Sequence, residues 1–248
     1  DVTMLEQAEA MRRDFVANVS HEIRTPLTVM SGFVETLQTL DLSADEQKRY
    51  LALMAIQAVR MQGLVEDLLT LSRLEGSPVP SFANTMPLAR LVQACELEAR
   101  GLSDSISHGA QAQVITFEVN PLLAHAELMG EARELQSALS NLVSNAVRYT
   151  PAGGHIHVTV EPGAEGSLLM AVRDTGAGIA AEHLPRLTER FYRVDRSRSR
   201  ESGGTGLGLA IVKHVMQRHG GSLSITSEVG QGSCFQLSFP ATRWRLPA

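Results

Sequence analysis

A stripe of apolar residues at Phe15, Val19, Ile23, Leu27, Met30, Val34 and Leu37 constrains the start of this chain more than any other feature. Steps of four and three place them along one side of a long α-helix. His21 stands two residues from both Val19 and Ile23, which sets its imidazole roughly opposite the stripe. Glu22 adjoins it, and Thr25 follows one turn on, on the same face. Pro26 has no N–H, so the carbonyl of Glu22 loses its helical partner and the helix is expected to bend or loosen beside His21. Taken alone, a solvated histidine on an amphipathic helix would explain this much.

The pattern predicts one helix over residues 1–40. Ser43-Ala44-Asp45-Glu46 then reads as a capping box, and a second helix follows with Leu51, Met54, Ala58, Met61, Val65 and Leu68 spaced by three and four. It stops near Gly76-Ser77-Pro78. A hairpin of two such helices cannot bury both stripes by itself. A second copy, completing a four-helix bundle, would cover them, as would packing against the rest of the chain.

Beyond a stiff connector at Ser77-Pro78-Val79-Pro80 the periodicity changes. Helices are predicted at 88–102, 132–149 and 207–219, and strands at 114–119, 122–126, 155–160, 168–173, 223–226 and 234–239. The fold class expected is α+β: an antiparallel helical hairpin followed by a two-layer α/β sandwich with helices on one face of a mixed sheet. The division expected is 1–76 for the hairpin domain, 77–86 for a linker and 87–243 for the sandwich domain.

Composition narrows the classes. Aromatics make up only 4%, so the cores must be aliphatic, and a net charge of −5 argues against nucleic acid as a partner. Cys95 and Cys234 lie far apart without metal-ligand spacing, which fits a reducing setting. No apolar run in the sequence approaches the ~20 residues that cross a bilayer, and no stretch of it is expected to act as a signal peptide. The chain opens on Asp1 inside a helical pattern, so it is expected to be a cytoplasmic fragment that meets a membrane only through segments upstream.

Four stretches carry candidate chemistry. Asn141 and Asn145 share a helix face, and amide oxygens are hard, neutral ligands suited to Mg²⁺; Arg148, a turn beyond Asn145, adds a cation. Asp174 closes an apolar strand before Thr175-Gly176-Ala177-Gly178-Ile179, where glycines let a flat ligand approach and the carboxylate can accept from an exocyclic amine such as that of adenine. Phe191 and Tyr192 form an apolar anchor ahead of the basic run through Arg200, which reads as a mobile lid. Gly203-Gly204-Thr205-Gly206-Leu207-Gly208-Leu209 runs straight into a helix, where backbone N–H groups suit phosphate oxygens. It is neither a Walker loop nor a dinucleotide fingerprint. Each stretch singly has a plainer reading as a solvated face, a turn or a loop.

Their order is more specific. Asn-x₃-Asn, Asp-x-Gly-x-Gly, Phe-Tyr with a basic lid, and Gly-x-Gly-x-Gly resemble the N, G1, F and G2 boxes of the ATPase fold shared by histidine kinases, Hsp90, MutL and gyrase B. The string Ser20-His21-Glu22-Ile23-Arg24-Thr25-Pro26-Leu27 closely resembles the phospho-acceptor motif of bacterial sensor histidine kinases, and within them the phosphate-regulon type. Ala177 and Ala180 stand where these kinases usually carry proline.

The resemblance implies a homodimer that binds ATP and Mg²⁺, phosphorylates its own His21 and hands the phosphoryl group to an Asp of a response-regulator receiver domain. Glu22 would handle the imidazole proton, and Thr25 would position water for the reverse phosphatase reaction. It places Asn141, Asn145, Arg148, Tyr149, Asp174, Gly176, Gly178, Ile179, Phe191, Tyr192, Arg196, Gly204, Thr205, Gly206, Leu207, Gly208 and Leu209 at the nucleotide, with Asn145 and Asn141 on the metal. Rival readings are a conformational ATPase without phosphotransfer and a silent dimeric scaffold.

Overall fold

Ser43 turns the chain. Its hydroxyl accepts from the Glu46 N–H at 3.4 Å, and the Glu46 carboxylate accepts from the Ser43 N–H at 2.9 Å. This reciprocal cap opens α2 (Ala44–Gly76) and separates it from α1 (Val2–Thr39). The computed structural model describes residues 2–107, 111–194 and 204–247.

α1 continues as helix through Pro26, which is buried in the hairpin. Phe33 and Tyr50 join the two helices with ring centroids 5.4 Å apart. The sequence stripe divides in the structure. Phe15, Val19, Ile23, Met30 and Leu37 are half-covered, while Leu27 and Val34 stay exposed. Leu51, Ile56, Val59, Val65 and Leu69 of α2 are exposed too. The two helices cover the flanks they turn to each other, and Leu64, Leu71 and Leu74 of α2 are buried in the core shared with the second part, while the residues just named face out.

The second part begins with β1 (Thr85–Pro87) and α3 (Leu88–Ser107), followed by β2 (Val114–Val119), β3 (Glu127–Met129) and α4 (Ala132–Tyr149). Next come β4 (His155–Pro162), β5 (Leu168–Asp174), α5 (Gly208–Arg218), β6 (Ser222–Glu228), β7 (Gly232–Phe239) and β8 (Trp244–Arg245). Five strands form one mixed sheet in the order β2-β4-β5-β7-β6, with β2 parallel to β4 and the other pairs antiparallel. Alternation sends Ile156, Val158, Val160, Leu168, Met170 and Val172 inward, where they are buried. α3, α4 and α5 cover them with Leu91, Leu135, Leu139, Leu142, Ile211 and Val215, also buried. Each such side chain contributes about 1.5–3 kcal/mol on leaving water, which fixes α4 and α5 firmly on the sheet. Burial pushes the Cys95 thiol up to about 11, so it packs as a small apolar group.

The strand expected at 122–126 is not there. Asn120 accepts from the Leu122 N–H at 3.0 Å and Pro121 fixes the next φ, so Pro121–Leu123 closes as a 3₁₀ turn and the strand starts at Glu127. That strand joins a small sheet, β1-β3-β8, whose other two members are too short to show a period in sequence.

The connector is tied down. Arg218, in the last turn of α5, donates to the carbonyls of Leu74, Ser77 and Pro78 at 2.8–2.9 Å and forks onto Glu134 with two bonds of 3.0 Å. Arg243 donates to the Pro80 carbonyl at 3.1 Å and lies 3.8 Å from the centre of the Phe82 ring.

Candidate nucleotide and phospho-acceptor sites

α4 presents its polar face along the mouth of the sandwich because Leu135, Leu139, Leu142 and Ala146 commit the opposite face to the core. Asn141 donates from Nδ2 to the Ser137 carbonyl at 2.9 Å, and its Oδ1 faces Gly208 at the start of α5. Asn145 lies one turn on, half-buried, with Arg148 and the exposed Tyr149 beyond it. The Tyr149 hydroxyl lies alongside Gly204, and its carbonyl backs Gly176.

Asp174 is only 5% exposed. Its Oδ1 accepts from the Gly176 N–H at 2.8 Å. Burial raises its carboxyl above the ordinary range, against the pull of backbone bonds from Gly176 and Ser233. Gly178 has φ +69°, and a Cβ there would lie 1.9 Å from the Glu228 carbonyl oxygen, so no other residue fits. The turn is closed by Ile179, whose N–H donates to Ser227 Oγ at 2.8 Å.

Phe191 adopts φ +63°, a rare conformation for a bulky residue. Its N–H donates to the Gly206 carbonyl at 2.8 Å, and its ring packs on Phe15 of α1 at 5.8 Å. Tyr192 pairs its hydroxyl with His183 Nδ1 at 2.8 Å under the guanidinium of Arg186. Leu207 is fully buried and anchors the glycine loop, and α5 starts with no side-chain cap on its first N–H groups. A helix start of that kind carries partial positive charge suited to phosphate.

Contacts thus run from Asn141 to Gly208, from Tyr149 to Gly204 and to Gly176, from Gly176 to Asp174 and from Phe191 to Gly206, and Asn145, Arg148, Gly178, Ile179, Thr205, Leu207 and Leu209 belong to the same elements and turns. Arg196 lies outside the described residues. The arrangement can accept from an exocyclic amine at Asp174 and cradle an anion at the head of α5.

His21 is exposed on α1. Glu22 turns toward α2, where Oε2 lies 3.1 Å from Arg60, and 3.8 Å from Arg193 beside the Phe191 turn. Thr25 donates to the His21 carbonyl at 3.1 Å. Sequence reasoning missed Arg60 and Asp67, which Thr205 contacts, and read Arg193 only as the start of the basic lid. It missed too the backing of Asp174 by β7, of which the glycines at 230 and 232 were the only trace.

A displayed histidine on a helical hairpin is thus followed by an α/β sandwich that carries this connected set of residues. Two family models match accordingly: the His Kinase A (phospho-acceptor) domain over residues 11–77, and the histidine kinase-, DNA gyrase B- and HSP90-like ATPase over residues 130–243. The chain belongs to the sensor histidine kinases. It is 48% identical over 242 residues to the phosphate regulon sensor protein PhoR of Pseudomonas aeruginosa, covering 96% of this chain and 52% of that protein. It therefore spans about half the length of that curated relative. Among solved structures it resembles full-length ShkA in complex with AMPPNP (28% identity, TM-score 0.63, 95% of this chain and 46% of that one). It shares its fold with histidine kinase ThkA in complex with response regulator TrrA (21% identity, TM-score 0.72, 95% of this chain and 64% of that one). Among the described residues no helix is long and apolar enough to cross a membrane.

Proposed function

We propose that this chain is the transmitter part of a two-component sensor: it transfers the γ-phosphoryl group of ATP to His21 and then to an Asp of a response-regulator receiver domain. The observation that carries the reading is an exposed His21 on the stalk together with the contacts that link Asn141 to Gly208, Tyr149 to Gly204 and Gly176, and Gly176 to Asp174.

In this reading residues 1–76 are the dimerisation and phosphotransfer domain, 77–86 the linker and 87–243 the nucleotide domain. Asp174 accepts from the adenine amine while Gly176, Gly178 and Ile179 shape the pocket floor. Backbone N–H groups from Gly204 to Leu209 hold the phosphates, and Tyr149, Arg148, Phe191, Tyr192 and Arg196 border them. Among the described residues no cluster of carboxylates, histidines or cysteines could hold a metal, and neutral amide oxygens fit one that takes most of its ligands from phosphate and water, as Mg²⁺ does. Asn145 and Asn141 would hold it, and it would supply charge neutralisation.

An imidazole with an unprotonated ring nitrogen is a competent nucleophile for phosphoryl transfer. Glu22, its neighbour, takes or orients the ring proton, and positioning does most of the remaining work. Thr25 positions water for the reverse reaction on the regulator. The exposed stripe of Leu27, Val34, Leu51, Val65 and Leu69 supports burial against a second copy as a four-helix bundle. ShkA was solved with AMPPNP and ThkA with a response regulator, which supports the same nucleotide and partner classes here.

Intact-mass and peptide analysis after incubation with Mg-ATP tests this. One phosphoryl group is expected on the His21 peptide and none in His21→Gln. ATP turnover with no phosphoprotein would instead favour a conformational ATPase.

A further inference from the structure

The glycine loop does not face only its own cleft. Thr205, at its centre, donates from Oγ1 to Asp67 Oδ2 of α2 at 2.5 Å, while accepting from the Leu207 N–H at 3.2 Å. Three further contacts surround this bond. Phe191 stacks on Phe15, Arg190 pairs with Glu75, and Arg193 lies 3.8 Å from Glu22. All four join the loop or the adjoining Phe191 turn to the helical stalk.

The position of the bond on the stalk matters. Arg60 of α2 stands level with Glu22, and hence with His21. Asp67 lies seven residues further along α2. At 1.5 Å per residue Asp67 stands about 10 Å along α2 from Arg60, while Arg193, which lies against Gly204 and Gly206, reaches Glu22 at 3.8 Å. The docked arrangement holds the glycine loop to α2 through the Thr205–Asp67 bond. It also sets a carboxylate against the hydroxyl of the loop read above as the phosphate cradle. A phosphate oxygen brought to Thr205 meets that negative charge in a partly buried setting, where repulsion is poorly screened.

We propose that Asp67 is an internal competitor of the nucleotide. Its carboxylate and the phosphates of ATP contend for Thr205, so that docking of the loop on the stalk and nucleotide binding oppose each other. The opposition is reciprocal by linkage: if Asp67 weakens the nucleotide, the nucleotide weakens the docking. This rests on the reading of the glycine loop as the phosphate site.

Calorimetric titration of the whole chain with AMPPNP and Mg²⁺, and separately with adenosine, tests it. Asp67→Ala is expected to bind AMPPNP about five-fold more tightly, the lower end of typical coupling between sites, with adenosine affinity unchanged. Asp67→Asn keeps the shape and an acceptor for Thr205 and is expected to show a smaller gain in the same direction; it stands in if the alanine variant misfolds. Unchanged or weaker AMPPNP binding in a cooperatively melting variant overturns the proposal. Amide exchange at residues 205–209 separates its parts: faster exchange in Asp67→Ala with no affinity gain leaves a clasp but removes the competition. Failure of AMPPNP to bind the wild type and every variant, with adenosine still bound, overturns the phosphate-site reading itself and the proposal with it.

Discussion

Gly208 and Asn141 meet so closely that a Cβ on the glycine would lie 2.4 Å from Asn141 Oδ1. The first residue of α5 is thereby locked to the face of α4 that carries both asparagines. The contact explains why the glycine loop must continue into the helix as glycine: the head of α5 and the asparagine face form one surface.

Gly208→Ala should push Asn141 aside or lift α5. Crowding of this kind costs about 1–3 kcal/mol. The expected outcome is a modest fall in melting temperature with AMPPNP affinity lowered by at least about ten-fold, the equivalent of 1.4 kcal/mol. Thermal melts and calorimetry on the same preparation check both.

Asp174 yields a prediction in which stability and binding move in opposite directions. Burial, the chief cause, lets the folded chain keep this proton to higher pH than the unfolded chain does. The stability the group contributes is present below its unfolded value and lost as pH rises through the folded one. At neutral pH the ionised carboxylate is thus a net cost. Asp174→Asn should melt at or above the wild-type temperature at pH 7, yet bind AMPPNP roughly 10- to 100-fold more weakly, the worth of a hydrogen bond to a charged group. Loss of preference for adenine over guanine nucleotides should accompany it.

His219 supplies the pH prediction of opposite sign. The ring is fully buried, bonded to the Val215 carbonyl through Nδ1 at 2.8 Å and accepting from the Glu131 N–H at 3.3 Å. Burial, first among the causes, lowers its basicity, with the cations Arg243 and Arg218 adding and the Val215 carbonyl and Glu134 opposing. The unfolded chain takes up this proton near pH ~6.5, where the folded chain does not. Stability is therefore present above that value and lost as pH falls toward the folded one. Melting temperature should decline from pH 7 to pH 5, and His219→Gln should show a lower melting point at pH 7 but a shallower decline. Parallel curves would count against the assignment.

Arg218 should behave as the fastener of the connector. It bonds three carbonyls of residues 74–78 and the Glu134 carboxylate while only 12% exposed. Arg218→Ala strands those acceptors and Glu134, at a cost of about 2–4 kcal/mol. Limited proteolysis should open at residues 77–82. Arg218→Lys should rescue little, since an ammonium cannot form the planar fork.

Much of this was legible in the residues. The Ser43–Glu46 cap, the α4 period and the alternation of Ile156, Val158 and Val160 each obey a local rule that tertiary packing did not override. The Asn, Asp-Gly and glycine-loop stretches could be joined only through their order, because Asn141 and Gly208 are far apart in sequence and their contact has no local signature. The false strand at 122–126 came from reading apolar residues without weighing Asn120-Pro121, whose turn chemistry decided the matter. Two-residue and three-residue strands escaped because a period needs more residues than they have. Asp67, Arg60 and Arg218 were invisible for a simpler reason: a charged residue on a helix looks solvated until its partner from another element is placed beside it.

The central claim is that His21 receives the terminal phosphoryl group of ATP. Incubation of the chain with γ-labelled ATP and Mg²⁺, beside a parallel sample with α-labelled ATP, measures it directly. The account predicts protein-bound label from the γ position only, stable to base, lost in acid and absent from His21→Gln. Label of undiminished amount in His21→Gln, or label stable to acid, would contradict it.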